Sequence, residues 1–153
     1  MPLGIARLLV IAFGFCEGAI LFWVDAMIEI AAGKLRGTSR DGIVEYLGVP
    51  YAEAPVRFEL PQPRKPWTGV FEAVERGPAA PHRIGEVPQI DATTLVGSGS
   101  DGGDGDYLRV NVWAPEGASD CPVMVWIHGG GYVVGSKDAP VQDGASFARS
   151  GIV

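Results

Sequence analysis

Five apolar residues run without a break into a histidine and three glycines. The stretch from Pro122 to Tyr132 reads PVMVWIHGGGY, and nothing else in the chain restricts the fold so tightly. Val123 to Ile127 is too short for a helix and contains β-branched residues, so it predicts a fully buried strand that the glycines stop abruptly. Gly129, Gly130 and Gly131 can each take positive φ, and without a Cβ they let backbone N–H groups approach a ligand closely. The loop is therefore an anion cradle or a plain tight turn. A phosphate-binding P-loop needs Lys directly after its last glycine, whereas Ser136 separates Gly135 from Lys137. The dinucleotide fingerprint needs glycine where Val134 stands.

Composition bears on what surrounds this stretch. The chain has 153 residues, 47% of them apolar, which suits about one globular domain with its own core. With 22 Gly and 12 Pro, turns should dominate over long helices. The net charge is −6 and the 12 Lys and Arg are scattered, so the basic footprint of a nucleic-acid binder is missing and no nucleic-acid partner is expected. Cys16 and Cys121 lie far apart without metal-ligand spacing and read as two free thiols.

Two segments divide the chain. In residues 1–24, Arg7 precedes a run from Leu8 to Val24 that is apolar apart from Glu17. A basic start and an apolar stretch suit a signal segment or anchor, but no small-x-small cleavage site follows; an N-terminal extension is the alternative. Membrane contact is expected only if residues 8–24 act as an anchor, and whether the protein is cytoplasmic or secreted depends on the same segment.

Residues 25–153 carry the fold. Around Arg40-Asp41-Gly42, IEIAAGKLRGTS and IVEYLGVPYA predict an antiparallel ribbon, with Asp-Gly where a hairpin wants positive φ. Repeated prolines from Pro50 to Pro88 exclude regular helix and central strand, so this stretch should cross a surface, pinned by the rings of Phe58, Trp67 and Phe71. Gly97 to Asp106 reads as a loop; Asp101, Asp104 and Asp106 lack the spacing of a calcium loop. Leu108 to Pro115 alternates as a strand and, after a short turn, should pair antiparallel with Val123–Ile127. DGASFARSGIV predicts a short helix opening at Asp143 and ending at Gly151.

Taken in order, GVPYAEAP, Arg57-Phe58, PWTGV, GDYLRVNVWAP, PVMVWIHGGGY and QDGASFA resemble the type B carboxylesterase family, which includes carboxylesterases and cholinesterases. The matches run from about Ile28 to Val153 and cover the family's N-terminal portion only. The resemblance implies an α/β fold: the N-terminal part of an α/β-hydrolase, with antiparallel strands leading into a mostly parallel sheet. It also implies ester hydrolysis through an acyl-enzyme, a small-molecule carboxylic ester as partner, no cofactor and no metal. His-Gly-Gly-Gly after a buried strand is the oxyanion loop of lipases and esterases. By position, Gly130 and Gly131 would donate their N–H groups to the oxyanion, His128 would shape the loop rather than act as base, and Tyr132 would wall the substrate pocket or pack in the core. His82 is expected in a surface loop.

The family's nucleophile sits in a Gly-x-Ser-x-Gly elbow. No serine of this chain has glycines at both −2 and +2; Ser146 follows Gly144 but has Ala148 beyond it. The family's acid and histidine would also lie past Val153, so the 153-residue chain alone is expected to be inactive. Two other readings stand beside this one: a binding protein on the same fold, and a truncated remnant. The family's disulfide positions align with Ala80 and Tyr107, and the glutamate that pairs with its buried arginine aligns with Gly105, leaving Arg57 to find Asp104 or Asp106 or to go unpaired. The motifs leave the particular ester and the oligomeric state open.

Overall fold

The computed structural model describes residues 25–84, 91–102 and 105–153. The N-terminal segment 1–24, with its signal or anchor reading, lies outside them, as does Asp104. No helix among the described residues is long and apolar enough to cross a membrane.

Strands β1 (Asp25–Ile30), β2 (Gly33–Arg40), β3 (Ile43–Pro50) and β7 (Arg109–Pro115) form an antiparallel sheet in the order β1-β2-β3-β7. The β2–β3 hairpin turns on Asp41 (φ 53°) and Gly42 (φ 77°), the paired positive φ values of the tight hairpin expected from Asp-Gly. β3 pairs with β2 only through Thr38↔Glu45 to Arg40↔Ile43 and then departs. Its place beside β2 is taken by β6 (Val70–Glu72), running parallel to β2 from Lys34↔Val70 to Arg36↔Glu72. This is the parallel strand pair of the described residues, so the mostly parallel part of the expected sheet is not displayed here.

One face of this sheet carries the core. Leu35, Val44, Tyr46, Val49 and Ala73 are buried, with Trp67, Phe71 and Val112 packed against them. Gly37 has a structural reason: a Cβ there would meet the Glu45 carbonyl and the Tyr46 ring, so its absence lets that ring lie on β2. The proline-rich stretch does cross a surface, with only the short ribbon of β4 (Ala52–Glu53) and β5 (Gln62–Pro63). Trp67 pins it: its backbone N–H donates to the Ala32 carbonyl (2.9 Å), its indole Nε1 donates to the Lys34 carbonyl (3.0 Å), and its ring lies 5.5 Å from that of Phe71. Phe58 does not. It sits at φ 70° between β4 and β5, 94% exposed, because the turn carries it away from the sheet.

The larger correction concerns Val123–Ile127. These five residues are 40–83% exposed and belong to no strand. Instead of pairing with β7, this stretch and its neighbour Pro122 are held by two backbone bonds to Val153: Met124 N–H to the Val153 carbonyl (2.7 Å) and Val153 N–H to the Pro122 carbonyl (2.9 Å). An apolar cavity of about 380 Å³ separates them from β7, bounded by Val112, Trp113, Met124, Trp126 and Phe147 among others. Burial needs a neighbour on each side, and among the described residues the backbone bonds of this stretch run to Val153 alone. The helix after it matches expectation: α2 (Ala145–Arg149) opens with Asp143 Oδ1 accepting the Ala145 N–H (2.8 Å), and Gly151 follows at φ 83°. A second short helix, α1, spans Thr93–Val96.

Candidate active site: the glycine loop and its anchor

The loop folds back on itself. The Gly130 carbonyl accepts both the Val133 N–H (3.0 Å) and the Val134 N–H (3.1 Å). Three residues in succession take positive φ: Gly130 at 131°, Gly131 at 61° and Tyr132 at 63°. The first two are where glycine is required. A Cβ on Gly130 would collide with the Val134 carbonyl oxygen, and none fits on Gly135, which lies against the Gly129 carbonyl and the His128 ring. Among the described residues, the N–H groups of Gly129, Gly130 and Gly131 donate to no protein acceptor. Successive backbone amides left free in a turn are the kind of element from which anion-binding concavities are built.

His128 Nδ1 lies 2.9 Å from the carbonyl oxygen of the next residue, Gly129, so the ring is tied to its own loop. It is exposed rather than buried, as is the irregular segment that precedes it. The Tyr132 ring stands clear of the core at 110% relative exposure. His82 Nδ1 lies 2.8 Å from the Ala80 carbonyl oxygen, in the segment bridged to Ser100 and away from the glycines.

The residues just after the loop are held very differently. Ser136 is 3% exposed, and its Oγ accepts the Asp138 N–H (3.0 Å). Asp138 Oδ1 accepts from Asn111 Nδ2 (3.0 Å), and Asp138 Oδ2 accepts from Lys137 Nζ (2.6 Å). Lys137 Nζ also donates to the Arg76 carbonyl (2.7 Å), and Arg76 Nη1 donates to the Asp138 carbonyl (3.3 Å). Burial lowers the pKa of Lys137; the hydrogen bond and charge of Asp138 oppose this, while the Arg109 and Arg76 charges add to it.

Asn111 is positioned by an irregularity in the sheet. From Tyr46↔Val112 to Val49↔Val110 there are three steps on β3 against two on β7, a β-bulge. Within it, Gly48 at φ 63° has no room for a Cβ beside the Glu75 carbonyl. Two side chains of β7 take up its backbone groups: Asn111 Oδ1 accepts the Gly48 N–H (2.9 Å), and Arg109 Nη1 donates to the Gly48 carbonyl (3.1 Å). Arg109 is also the arginine that holds Asp106, at 2.6 Å, with Arg64 at 3.2 Å on the other carboxylate oxygen. Arg57 is exposed over the Phe58 ring at 4.9 Å and has no ion pair among the described residues, so of the two partners open to it Asp106 is not taken, while Asp104 lies outside those residues. Sequence reasoning passed over Asn111, Arg109, Lys137 and Asp138; the polar Asn111 inside the apolar alternation of LRVNVWAP was the one visible signal.

Comparison with known proteins identifies the family. The sequence profile of the carboxylesterase family matches residues 24–153. The chain is 40% identical over 126 residues to phenmedipham hydrolase of Pseudarthrobacter oxydans, covering 78% of this chain and 24% of that protein. It is 37% identical over 125 residues to para-nitrobenzyl esterase of Bacillus subtilis, covering 79% of this chain and 24% of that protein. A solved structure of PNB esterase superposes with a TM-score of 0.70 at 32% identity, over 84% of this chain and 26% of the other. The chain thus spans about a quarter of the length of the relatives it matches, which fits the N-terminal portion implied by its motifs. With a matched profile that spans all the described residues and esterase neighbours of the α/β-hydrolase fold, the chain belongs to the carboxylesterase family.

Proposed function

We propose that this chain supplies the oxyanion-binding loop of a serine-type carboxylic ester hydrolase acting on neutral, mostly apolar esters. One observation carries the reading: Gly130 and Gly131 sit in a positive-φ turn with N–H groups that no described protein acceptor uses. In acyl transfer, attack on the ester carbonyl moves negative charge onto its oxygen, and donors fixed in advance stabilise that charge without reorganising. Gly130 N–H and Gly131 N–H are the donors in this proposal. His128 shapes the loop, and Tyr132 forms one wall of the ester site. Residues 25–153 act as the N-terminal part of the catalytic domain. The serine, its base and its acid come from outside these residues, since no Gly-x-Ser-x-Gly occurs within them. Alone, the chain has donors for a transition state it cannot reach.

The test is a chimera in which residues 25–153 replace the matching region of the Bacillus subtilis para-nitrobenzyl esterase. Active-site-serine-dependent hydrolysis is expected, and replacing the Gly131 peptide N–H by a backbone ester oxygen, which removes the donor without fixing φ, should lower kcat by about 10² to 10³ with little change in KM. A folded, active chimera indifferent to that replacement refutes the assignment. So does serine-reagent-sensitive hydrolysis by the 153-residue chain on its own.

A further inference from the structure

The loop's two flanks are not equivalent. On the N-terminal side, exposed residues 123–128 reach back to the nearest backbone anchors at Pro122 and Met124. On the C-terminal side, Ser136, Lys137 and Asp138 are joined to Asn111 of β7 and to the Arg76 backbone. Asn111 is itself fixed through the Gly48 N–H. The path from there to the donors is short: Gly135 is packed under the His128 ring and the Gly129 carbonyl, while Val133 and Val134 are bonded to the Gly130 carbonyl. Where residues 133–135 lie therefore decides where Gly130 and Gly131 point.

We propose that Asn111, Lys137 and Asp138 are positioning residues that set the conformation of Gly130 and Gly131 from behind, by clamping the chain just past the loop to β7 and to the Arg76 backbone. The inference deepens the oxyanion reading and rests on it for its functional meaning, but its geometry can be tested without a substrate. Asp138 is the hub. One carboxylate oxygen takes Asn111 and the other takes Lys137, with the Ser136 hydroxyl donating to that second oxygen at 3.4 Å, so both anchors converge on a single side chain. Charge-assisted bonds of this kind hold geometry more firmly than neutral ones. Preorganised donors depend on such support, because a loop about 1 Å out of place loses most of its effect.

The experiment is amide NMR on the 153-residue chain, comparing wild type, Asp138→Asn, Ser136→Ala, Asn111→Asp and the reciprocal double variant Asn111→Asp with Asp138→Asn. In wild type, Gly130 and Gly131 should show backbone order parameters near those of the sheet, about 0.85. Asp138→Asn and Asn111→Asp should each shift both glycine amides and lower their order parameters to about 0.6 or less, while Leu35, Val44 and Tyr46 stay unchanged. The double variant re-forms the 111–138 bond with donor and acceptor exchanged and should restore the glycines in large part. Ser136→Ala, which removes the bond to the Asp138 N–H and a longer one to Asp138 Oδ2 (3.4 Å) but leaves the Asn111 and Lys137 links in place, should perturb them less. The proposal fails if the glycine amides keep their shifts and order in Asp138→Asn and Asn111→Asp, or if the double variant behaves as the sum of the singles. Failure of the oxyanion reading would appear separately, as kcat in the chimera indifferent to loss of the Gly131 donor.

Discussion

Strand β3 and the segment Val123–Ile127 have similar apolar content and opposite fates. In β3, Val44, Tyr46 and Val49 are buried between two ladders and a layer of side chains. In the other, Val125 and Ile127 are about four-fifths exposed, with Trp126 two-thirds exposed beside them. Apolarity fits both for a core, but only the first has neighbours to complete it. Burying one large side chain contributes about 1.5–3 kcal/mol, so five of them are worth an amount comparable with the whole stability of a domain, about 5–15 kcal/mol. The sheet realises that gain, and the segment leading to the glycine loop does not.

Substitutions should separate the two regions most sharply where truncation is greatest. Leu35→Ala should lower the unfolding free energy by about 2–5 kcal/mol, whereas Ile127→Ala should change it by no more than about 0.5 kcal/mol, both read from urea melts. Equal losses would mean that the segment packs as tightly as the sheet. A smaller effect is expected at the join between the regions. Asn111→Leu keeps an apolar strand residue but strips the Gly48 N–H and Asp138 of a partner, and should cost about 1–3 kcal/mol; a neutral result would detach the loop's anchor from the sheet's stability.

Acrylamide quenching sharpens the contrast without a free-energy scale. In single-tryptophan variants, Trp126 should be quenched much more strongly than Trp67 or Trp113, and equal quenching would place Trp126 inside a packed layer. The smallest effect is that of pH on the anchor. Burial holds the folded-state pKa of Lys137 below its ordinary value, so between the two values the unfolded chain binds more protons than the folded one. Stability from this group should therefore rise with pH through that alkaline window and level off near the ordinary lysine value. Tyr46 acts in the opposite sense, since burial raises its pKa and favours the fold only until pH climbs through the raised value. Lys137→Met should remove the rise below the tyrosine range; an unchanged slope in pH-dependent melts would contradict the assignment.

Legibility in the sequence followed distance along the chain. Asp41-Gly42 marks the hairpin because its φ values are a local property, and Asp143 marks the start of α2 for the same reason. The glycine loop could be read because three adjacent residues write it. Long-range bonds were not readable. The Asn111–Asp138 link spans 27 residues and the Gly48–Asn111 link spans 63, and no pattern in either stretch announces them. Arg57 was singled out through a family position, while Arg109 does the holding because the bulge presents the Gly48 carbonyl to it. Val123–Ile127 was misjudged for a related reason: hydrophobicity states what a segment favours, and only its neighbours decide whether it is met.

The bulge at Gly48 also imposes an order in time. While the chain emerges from the N-terminus, β1 to β3 can zip by local turns, but Gly48 must wait for β7 before its N–H and carbonyl find Asn111 and Arg109. Asp138 must then wait for Asn111 to be in place. Closing such distant contacts is slow because chain entropy is spent before any contact rewards it. The anchor behind the glycine loop therefore forms only once β3 and β7 have paired, so the loop's support depends on the sheet being complete.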